Sequence, residues 1–266
     1  MEMKKPQWNL SNVRVLITGA SSGLGLAMAR AVSAAGAAVA VAGRDETRVA
    51  AAVASLPSAS GKVLAIRMDV RSMGSVEEAQ ARIQDAWGGI DVLVANAGIG
   101  MRTVNPRFPA YAQPFWEVPL EGFEAVIDTN LTGYFRVALT FTPGLVSQGR
   151  GKIVIISMNH ETMRRKGFIP YGPSRAATES LAHIMAQDLK DSGVTVNMLL
   201  PGGATATGMI PDTVPEEFAR QLLHPDVMGR PITFLCSSES DSLNDERLVA
   251  TGFDAWYQDW KARGNA

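Results

Sequence analysis

Cysteine is almost absent from this 266-residue chain. Cys236 is the single cysteine, so no disulfide can form within one chain. Proteins with one thiol and no bridge are typical of a reducing compartment. The first ten residues, which include Lys4, Lys5 and Pro6, lack the apolar stretch of a signal peptide. We therefore expect a cytoplasmic protein.

Excess charge, histidine and long apolar runs are also missing. Lys and Arg total 25 against 26 Asp and Glu, a net charge of -1, which argues against nucleic acid or anionic lipid as a partner. No run of about 18 apolar residues occurs, so we expect no membrane span. The three histidines are scattered, at 160, 183 and 224, so we predict no metal site.

The remaining composition is that of a globular protein, with 46% hydrophobic and 19% charged residues, and predicts one domain over residues 1–266. Short β-branched runs alternate with longer Ala-rich segments of helical period. The predicted strands are 13–18, 37–42, 62–68, 90–95, 152–157 and 194–199. The predicted helices are 24–35, 45–56, 73–87, 120–146 and 173–191. This alternation favours a Rossmann-type doubly wound parallel sheet in a three-layer α/β/α arrangement.

Three stretches fit neither a strand nor one of these helices: 98–119, 201–225 and the tail from 243. Within the tail, near 253–262, four aromatic residues fall on one face of a short helix: Phe253, Trp256, Tyr257 and Trp260. We predict that this stripe is buried against a neighbouring subunit or the rim of the pocket. Packing within the same domain is the alternative.

A glycine-rich turn follows the first strand and opens a helix. Its candidate cofactor residues are Gly19, Ser21, Ser22, Gly23, Leu24 and Gly25. Glycine permits a tight turn and lets a pyrophosphate approach the helix N-terminal amides. The spacing is G-x-x-x-G-x-G, and the alternative is a plain strand-to-helix loop.

The residues after the second strand indicate which dinucleotide fits. Gly43 stands where an acidic residue would bind a free ribose 2′-hydroxyl, and Arg44 follows it, which favours NADP(H) over NAD(H). We expect Asp45 to cap the next helix. A solvated Arg44 is the alternative.

Further motifs follow the later strands in order. They are Asp69-Val70, Asn96-Ala97-Gly98, Asn130 in a long helix, Ser157 at the end of the fifth strand, Tyr171 and Pro201-Gly202. With the glycine turn, they make the chain resemble the short-chain dehydrogenase/reductase family from about residue 10 to about residue 240, and the length resembles its compact single-domain branch. The resemblance implies a doubly wound sheet, a nicotinamide cofactor and usually a homodimer or homotetramer.

The resemblance also implies catalytic roles that make chemical sense. Hydride transfer to a carbonyl carbon requires a proton for the oxygen, and Tyr171 would be the general acid, or the base in oxidation. Ser157 would donate a hydrogen bond to the same oxygen, and Asn130 would hold a water in the proton path. The alternatives are a helix-start aromatic, a strand-end serine and a helix hydrogen-bonder.

The chain departs from the family pattern Y-x-x-x-K, because Arg175 stands where the lysine is expected. An i, i+4 spacing still places a cation beside Tyr171. Arginine does not readily lose a proton, so it cannot titrate in a relay. Three outcomes stay open: an enzyme whose proton path bypasses residue 175, an enzyme of reduced turnover, or an NADP-binding protein without redox chemistry.

The 201–225 stretch is the expected substrate loop. The resemblance implies a threonine near the nicotinamide, and Thr205 and Thr207 flank the expected position. Candidate substrate residues are Asn159, His160 and Met209. A group of loop cations, Arg102, Arg107, Arg164, Arg165 and Lys166, favours either an acidic substrate group or a solvated surface.

These features together predict a cytoplasmic NADP(H)-dependent oxidoreductase that interconverts a small ketone and a secondary alcohol. The alternative is an NADP-binding protein with weak or no turnover, because Arg175 replaces the lysine.

Overall fold

The computed structural model describes residues 7–57, 62–211 and 213–264. Its seven strands form one sheet, in the order β3-β2-β1-β4-β5-β6-β7, and every neighbouring pair is parallel. The strands are β1 (Arg14–Thr18), β2 (Ala38–Gly43), β3 (Val63–Arg67), β4 (Val92–Ala95), β5 (Gly151–Ile156), β6 (Val194–Leu200) and β7 (Arg247–Val249). The predicted doubly wound fold is confirmed.

Ten α-helices occur among the described residues. They are α1 (Gly23–Ala34), α2 (Glu46–Ala54), α3 (Met73–Trp87), α4 (Leu120–Ile127), α5 (Gly133–Ser147), α6 (His160–Met163), α7 (Tyr171–Asp188), α8 (Glu216–Arg220), α9 (Gly229–Cys236) and α10 (Phe253–Ala262). None of these helices is long and apolar enough to cross a membrane. Asp45 caps α2 as predicted, since its carboxylate accepts the Arg48 backbone N–H at 3.0 Å.

The five central strands, β1, β2, β4, β5 and β6, bury side chains on both faces of the sheet. In β1, Leu16 packs into one apolar cluster and its neighbour Ile17 into the other, and both side chains are fully buried. Successive strand residues point to opposite faces, so a sheet covered on both sides needs a continuous apolar run. This is why these five strands could be predicted from the sequence.

The segment 120–146, predicted as one helix, is helical throughout. One wider helical turn at Asp128–Thr132 joins α4 to α5 and contains Asn130. The prediction of a long helix here is confirmed, and the wider turn is what the sequence did not reveal. The widened turn places the Asn130 carbonyl within 3.2 Å of the Thr178 hydroxyl on α7, which donates to it.

The aromatic tail packs within its own chain. Phe253, Tyr257 and Trp260 are buried, with ring centres 5.5, 5.5 and 5.3 Å from that of Phe234 on α9. Trp8 closes the cluster from the other end of the chain, 5.5 Å from Tyr257. The prediction that the stripe lies against a neighbouring subunit or the pocket rim is wrong, because α9 and residue 8 already cover it.

Strand order reverses between β1 and β4. Strand β1 pairs with β2 on one side and with β4 on the other, so the chains leaving β1 and β4 diverge to opposite faces. In open parallel sheets this divergence opens a crevice at the carboxyl ends of the strands, where ligands bind. The glycine turn follows β1 and the Asn96-Ala97-Gly98 motif follows β4, so both lie at this crevice.

Candidate active site

The glycine turn is fastened to the end of β4. The Thr18 hydroxyl accepts the backbone N–H groups of Asn96 and Ala97, both at 2.9 Å. The Asn96 side chain donates to the Thr18 and Gly19 carbonyls at 2.8 and 3.2 Å. Gly19 has φ +63, and a Cβ there would lie 2.7 Å from the Ala97 Cα, so only glycine fits. Asn96 thus shapes the floor of the crevice.

The start of α1 is open to an anion. Its N-cap residue, Ser22, makes no side-chain capping bond among the described residues, whereas Asp45 and Ser72 cap α2 and α3. Uncapped first-turn amides and the positive end of the helix dipole favour a phosphate group. Thr207 closes the outer side, since a Cβ on Gly23 would lie 3.1 Å from its Cγ2. These residues fit the pyrophosphate of a dinucleotide.

The adjoining candidates frame the same crevice. Leu24 packs on the core, Ser21 lies beside Gly43, and Val70 packs against Gly133 on α5. Pro201 and Gly202 follow β6, and the Gly202 carbonyl accepts the Asn159 side-chain amide at 3.0 Å.

Two arginines lie where a ribose 2′-substituent is expected. Arg44 is exposed directly after β2, and Arg48, one helical turn later, donates to the Ser22 hydroxyl at 3.1 Å. The pKa of Asp69 is lowered, chiefly by its hydrogen bonds from Arg71 and more weakly by the charge of Arg44. Sequence reasoning missed Arg48, which lies in the first turn of α2, four residues after Arg44.

Arg175 is buried and lies beside the Tyr171 ring. It is 2% exposed, and its Nη1 donates to the Tyr134 hydroxyl at 2.8 Å and to the Ile156 carbonyl at 2.9 Å. Its guanidinium carbon lies 5.3 Å from the centre of the Tyr171 ring. A Cβ on Gly98 would lie 2.6 Å from its Nη2, so the glycine after β4 makes room for the arginine.

The charges around Arg175 favour its protonated form. Burial opposes the cation, yet the two phenol oxygens of Tyr134 and Tyr171 raise its pKa above the ordinary value. Burial in turn raises the pKa of Tyr134, although Arg175 opposes this. The sequence did not single out Tyr134, which is 1% exposed and reads as an ordinary core aromatic.

Asn130 holds the loop after β4. Its Oδ1 accepts the Ile99 N–H at 2.9 Å, and its Nδ2 donates to the Ile99 carbonyl at 3.0 Å and to the Ser174 hydroxyl at 3.1 Å. Both amide hydrogens are therefore engaged within the protein. A water could therefore bind Asn130 only by donating a hydrogen bond to one of its oxygen atoms.

The Ser157 hydroxyl donates to a carboxylate that the sequence did not reveal. Glu179 Oε1 accepts it at 2.5 Å and also accepts Arg247 Nε at 2.9 Å. His160 Nε2 lies 2.9 Å from the other oxygen, Oε2. Burial alone would raise the pKa of Glu179, but hydrogen bonds from Ser157, Arg247 and His160 together lower it. Glu179 is thus a buried, ionised acceptor behind Ser157.

The 201–211 segment reaches over the crevice to the segment after β4. Met209 is in contact distance of Gly100, where a Cβ would lie 3.4 Å from its Sδ. Arg102 Nη1 donates to the Gly208 carbonyl at 2.8 Å. Thr205 is buried and bonds the Gly203 carbonyl, so Thr207 is the threonine at the glycine turn.

Comparison with known proteins places this chain among characterised oxidoreductases. The short chain dehydrogenase family model matches residues 13–217. The ketoacyl reductase HetN of Nostoc sp. is 32% identical over 207 residues, which is 77% of this chain and 68% of that protein. Gluconate 5-dehydrogenase of Gluconobacter oxydans is 30% identical over 255 residues, 92% and 95% of the two chains.

A solved structure agrees closely with the fold. The gluconate 5-dehydrogenase of Burkholderia cenocepacia, in complex with NADP and tartrate, superposes with a TM-score of 0.79 at 27% identity and covers 93% of this chain and 97% of that one. The motifs at the strand ends, the family match and this likeness agree. The chain belongs to the short-chain dehydrogenase family of nicotinamide-dependent oxidoreductases.

Proposed function

We propose that the protein interconverts a ketone and a secondary alcohol with NADP(H), and that Tyr171 is the general acid and base. The observation that carries this proposal is the set of contacts made by Arg175. Its guanidinium lies beside the Tyr171 ring, donates to the Ile156 carbonyl just before Ser157, and is in contact distance of Gly98, which follows the Asn96 that is bonded to the glycine turn. Bound NADPH would supply the hydride. The Tyr171 hydroxyl would donate the proton to the substrate oxygen, and the phenolate would take it back in oxidation.

Ser157 would be the second donor to that oxygen. Its hydroxyl has one proton, which Glu179 accepts, so the hydroxyl must rotate to reach a carbonyl. When the Ser157 hydroxyl rotates away, Arg247 and His160 remain at the carboxylate, so Glu179 still has hydrogen-bond partners. The rotation therefore leaves no unpaired buried charge.

Arg175 would act as a fixed cation. Beside the Tyr171 ring, a permanent positive charge stabilises the phenolate form of the tyrosine. The guanidinium does not release a proton, so the proton that Tyr171 donates must be replaced by another route.

NADP(H) is the proposed cofactor because the residues after β2 are cationic. Arg44 is exposed at the end of the strand and Arg48 is held at Ser22, so both lie beside the helix start that would receive the pyrophosphate. The solved relative with NADP supports the same choice.

We also propose a subunit arrangement, from the apolar side chains that the surface exposes. An apolar row on α5, Phe135, Leu139 and Val146, is 47%, 51% and 41% exposed, and Ile184 on α7 is 57% exposed. This surface supports a homodimer or homotetramer. We also propose one cytoplasmic domain with 201–225 as its substrate loop and no metal.

A second function has one observation in its favour. Arg175 is committed to Tyr134 and Ile156, which is a structural role that an NADP-binding protein without turnover would also keep. Binding measurements do not distinguish the two functions, but turnover does.

The test follows nicotinamide absorbance with NADPH and NADH across a panel of ketones and secondary alcohols. Wild type is compared with Arg175→Lys and with Tyr171→Phe. We expect turnover by wild type with NADPH and its loss in Tyr171→Phe. A wild type that binds NADPH but reduces nothing, beside an active Arg175→Lys variant, establishes the binding protein instead.

A further inference from the structure

A second cleft lies beyond the catalytic residues, and we name it the outer cleft. It has a volume of about 650 Å³ and lies between residues 111–116 on one side and 163–169 on the other. The two sides are packed closely, because a Cβ on Gly167 would lie 2.7 Å from the Ala112 Cα. The proposed mechanism uses none of these residues.

One wall of the outer cleft is aromatic and unusually exposed. Phe115 and Trp116 are 65% and 73% exposed, and Tyr111 is 43% exposed. Large apolar side chains grouped on a surface mark a place where something binds. The loop that carries them is held by its own hydrogen bonds, from Asn105 to the Tyr111 carbonyl at 2.8 Å and from Gln113 to the Glu117 carbonyl at 2.7 Å. The aromatic wall is therefore preformed.

The facing wall is cationic. Arg164, Arg165 and Lys166 are consecutive and exposed, and no acidic side chain lines the cleft among the described residues. No ion pair involves these three side chains in the part of the chain that the structure describes. The potential inside the cleft is thus positive, and an anionic group is its complement.

The outer cleft is linked to the catalytic tyrosine through Phe168. The Arg165 guanidinium carbon lies 5.1 Å from the Phe168 ring centre, and Phe168 belongs to the small apolar cluster against which Tyr171 packs. Pro173, two residues after Tyr171, lines the cleft itself. Phe168 therefore borders both the outer cleft and the cluster at Tyr171, and a substrate that reacts at Tyr171 would have to extend past its ring to enter the cleft.

We propose that the outer cleft is a substrate subsite for an organic anion. The apolar body of the ligand lies on the aromatic wall, and an acidic group remote from the reacting carbon meets the cationic wall. This inference rests on the proposed function, and it names the substrate class: ketones or alcohols that carry a carboxylate or a similar acidic group.

The test compares two ketones with one skeleton, 4-benzoylbutyrate and its neutral primary amide. Dissociation constants are measured by titration calorimetry with saturating NADP+, which cannot reduce a ketone. We expect the acid to bind about five times more tightly at low salt, as exposed ion pairs of up to about 1 kcal/mol allow. This preference falls as salt shortens the Debye length.

A charge-removing variant assigns the preference to the cleft. In Arg164→Gln/Arg165→Gln/Lys166→Gln the ratio of the two dissociation constants falls towards one. The matched control removes the same charge from three exposed positions elsewhere, Lys62→Gln/Lys190→Gln/Arg263→Gln, and keeps the ratio. Quenching of Trp116 fluorescence, absent in Trp116→Phe, places the ligand at the aromatic wall.

The outcomes separate this inference from the proposed reaction. Equal affinities for acid and amide in wild type, or a ratio that the cleft variant leaves intact, overturn the subsite even if both ketones are reduced. Tighter binding of the acid without any NADPH oxidation contradicts the proposed reaction and leaves the subsite standing.

Discussion

At the scale of single residues, Arg175 is the buried cation on which the proposed function depends. A lysine there would be a single point charge on a flexible stem. The arginine instead bridges two buried acceptors, the Tyr134 hydroxyl and the Ile156 carbonyl, with one nitrogen. The arginine lies on α7 and is therefore held by acceptors from α5 and β5.

Arg175→Lys should destabilise the protein because it removes the hydrogen bond from the guanidinium to the Tyr134 hydroxyl. The ammonium replaces a planar group wedged between two rings and leaves a buried hydroxyl without its donor. We expect a loss of about 1–3 kcal/mol in the free energy of unfolding, measured by urea titration. In the Tyr134→Phe background, Arg175→Lys should lower the free energy of unfolding by a smaller amount. Equal losses in both backgrounds contradict an energetic coupling between Arg175 and Tyr134.

Glu179 makes stability depend on pH. Its pKa is lowered in the folded protein, so its stabilising contribution is present above its ordinary value of 4.5 and is lost as the pH falls through the folded value. Replacing it with the neutral Glu179→Gln removes that titration. As the pH falls from neutral through the folded pKa, wild type should therefore lose more free energy of unfolding than the variant.

The histidine beside Glu179 would complicate that comparison. Both proteins are therefore measured in the His160→Gln background, which removes the imidazole from the carboxylate. Parallel stability curves for the two proteins would show that the carboxylate contributes no pH dependence.

At the scale of elements, the end of β2 and the first turn of α2 carry two arginines and one aspartate, Arg44, Arg48 and Asp45. Arg48 donates to the Ser22 hydroxyl at the glycine turn, and Asp45 caps the same helix. In the proposed function, these opposing charges would set the preference between a ribose phosphate and a free hydroxyl.

Arg48→Gln should weaken NADPH binding selectively. Loss of one exposed cation at a phosphate costs up to about 1 kcal/mol, or about fivefold in the dissociation constant. NADH, which lacks the phosphate, serves as the control ligand for the same variant. The matched variant Asp45→Asn keeps a capping oxygen but removes a negative charge, and should tighten NADPH binding. Equal losses for NADPH and NADH count against a phosphate-binding role for Arg48.

The elements differ in how far the sequence could predict them. The five central strands are buried on both faces, so their apolar runs are visible in the sequence. Strand β7 has three residues and shows no period. The wider helical turn at 128–132 contains neither glycine nor proline, and the Asn130–Thr178 contact at this turn spans 48 positions. Tertiary contacts of this kind leave no local signal.

The residues of the candidate site also differ in how far the sequence could predict them. The glycine turn was predicted because it directly follows the first strand, and Ser157 and Tyr171 were predicted through the family resemblance of the ordered motifs. Glu179 was missed, since a lone glutamate on a helix is usually solvated. Its partner Arg247 stands 68 positions away, so only the folded chain shows that the two meet.

At the scale of the whole molecule, the two ends of the chain are packed into one apolar core. Trp8 contacts Phe234, Phe253 and Tyr257, with ring centres 5.6, 6.2 and 5.5 Å away. Tyr257 also donates to Glu239 at 2.6 Å, which ties α10 to the segment after α9. The C-terminal helix is therefore part of the domain core.

Phe234→Ala should lower the free energy of unfolding by about 3–5 kcal/mol, because it removes the ring at the centre of this cluster. Phe234→Leu, which keeps most of the volume, should cost less. Thermal unfolding is measured over a hundredfold range of protein concentration. An intrachain cluster predicts a difference in Tm between wild type and variant that is the same at every concentration. A difference that grows with concentration would instead place these rings at a subunit interface, since only an interface couples the loss to association.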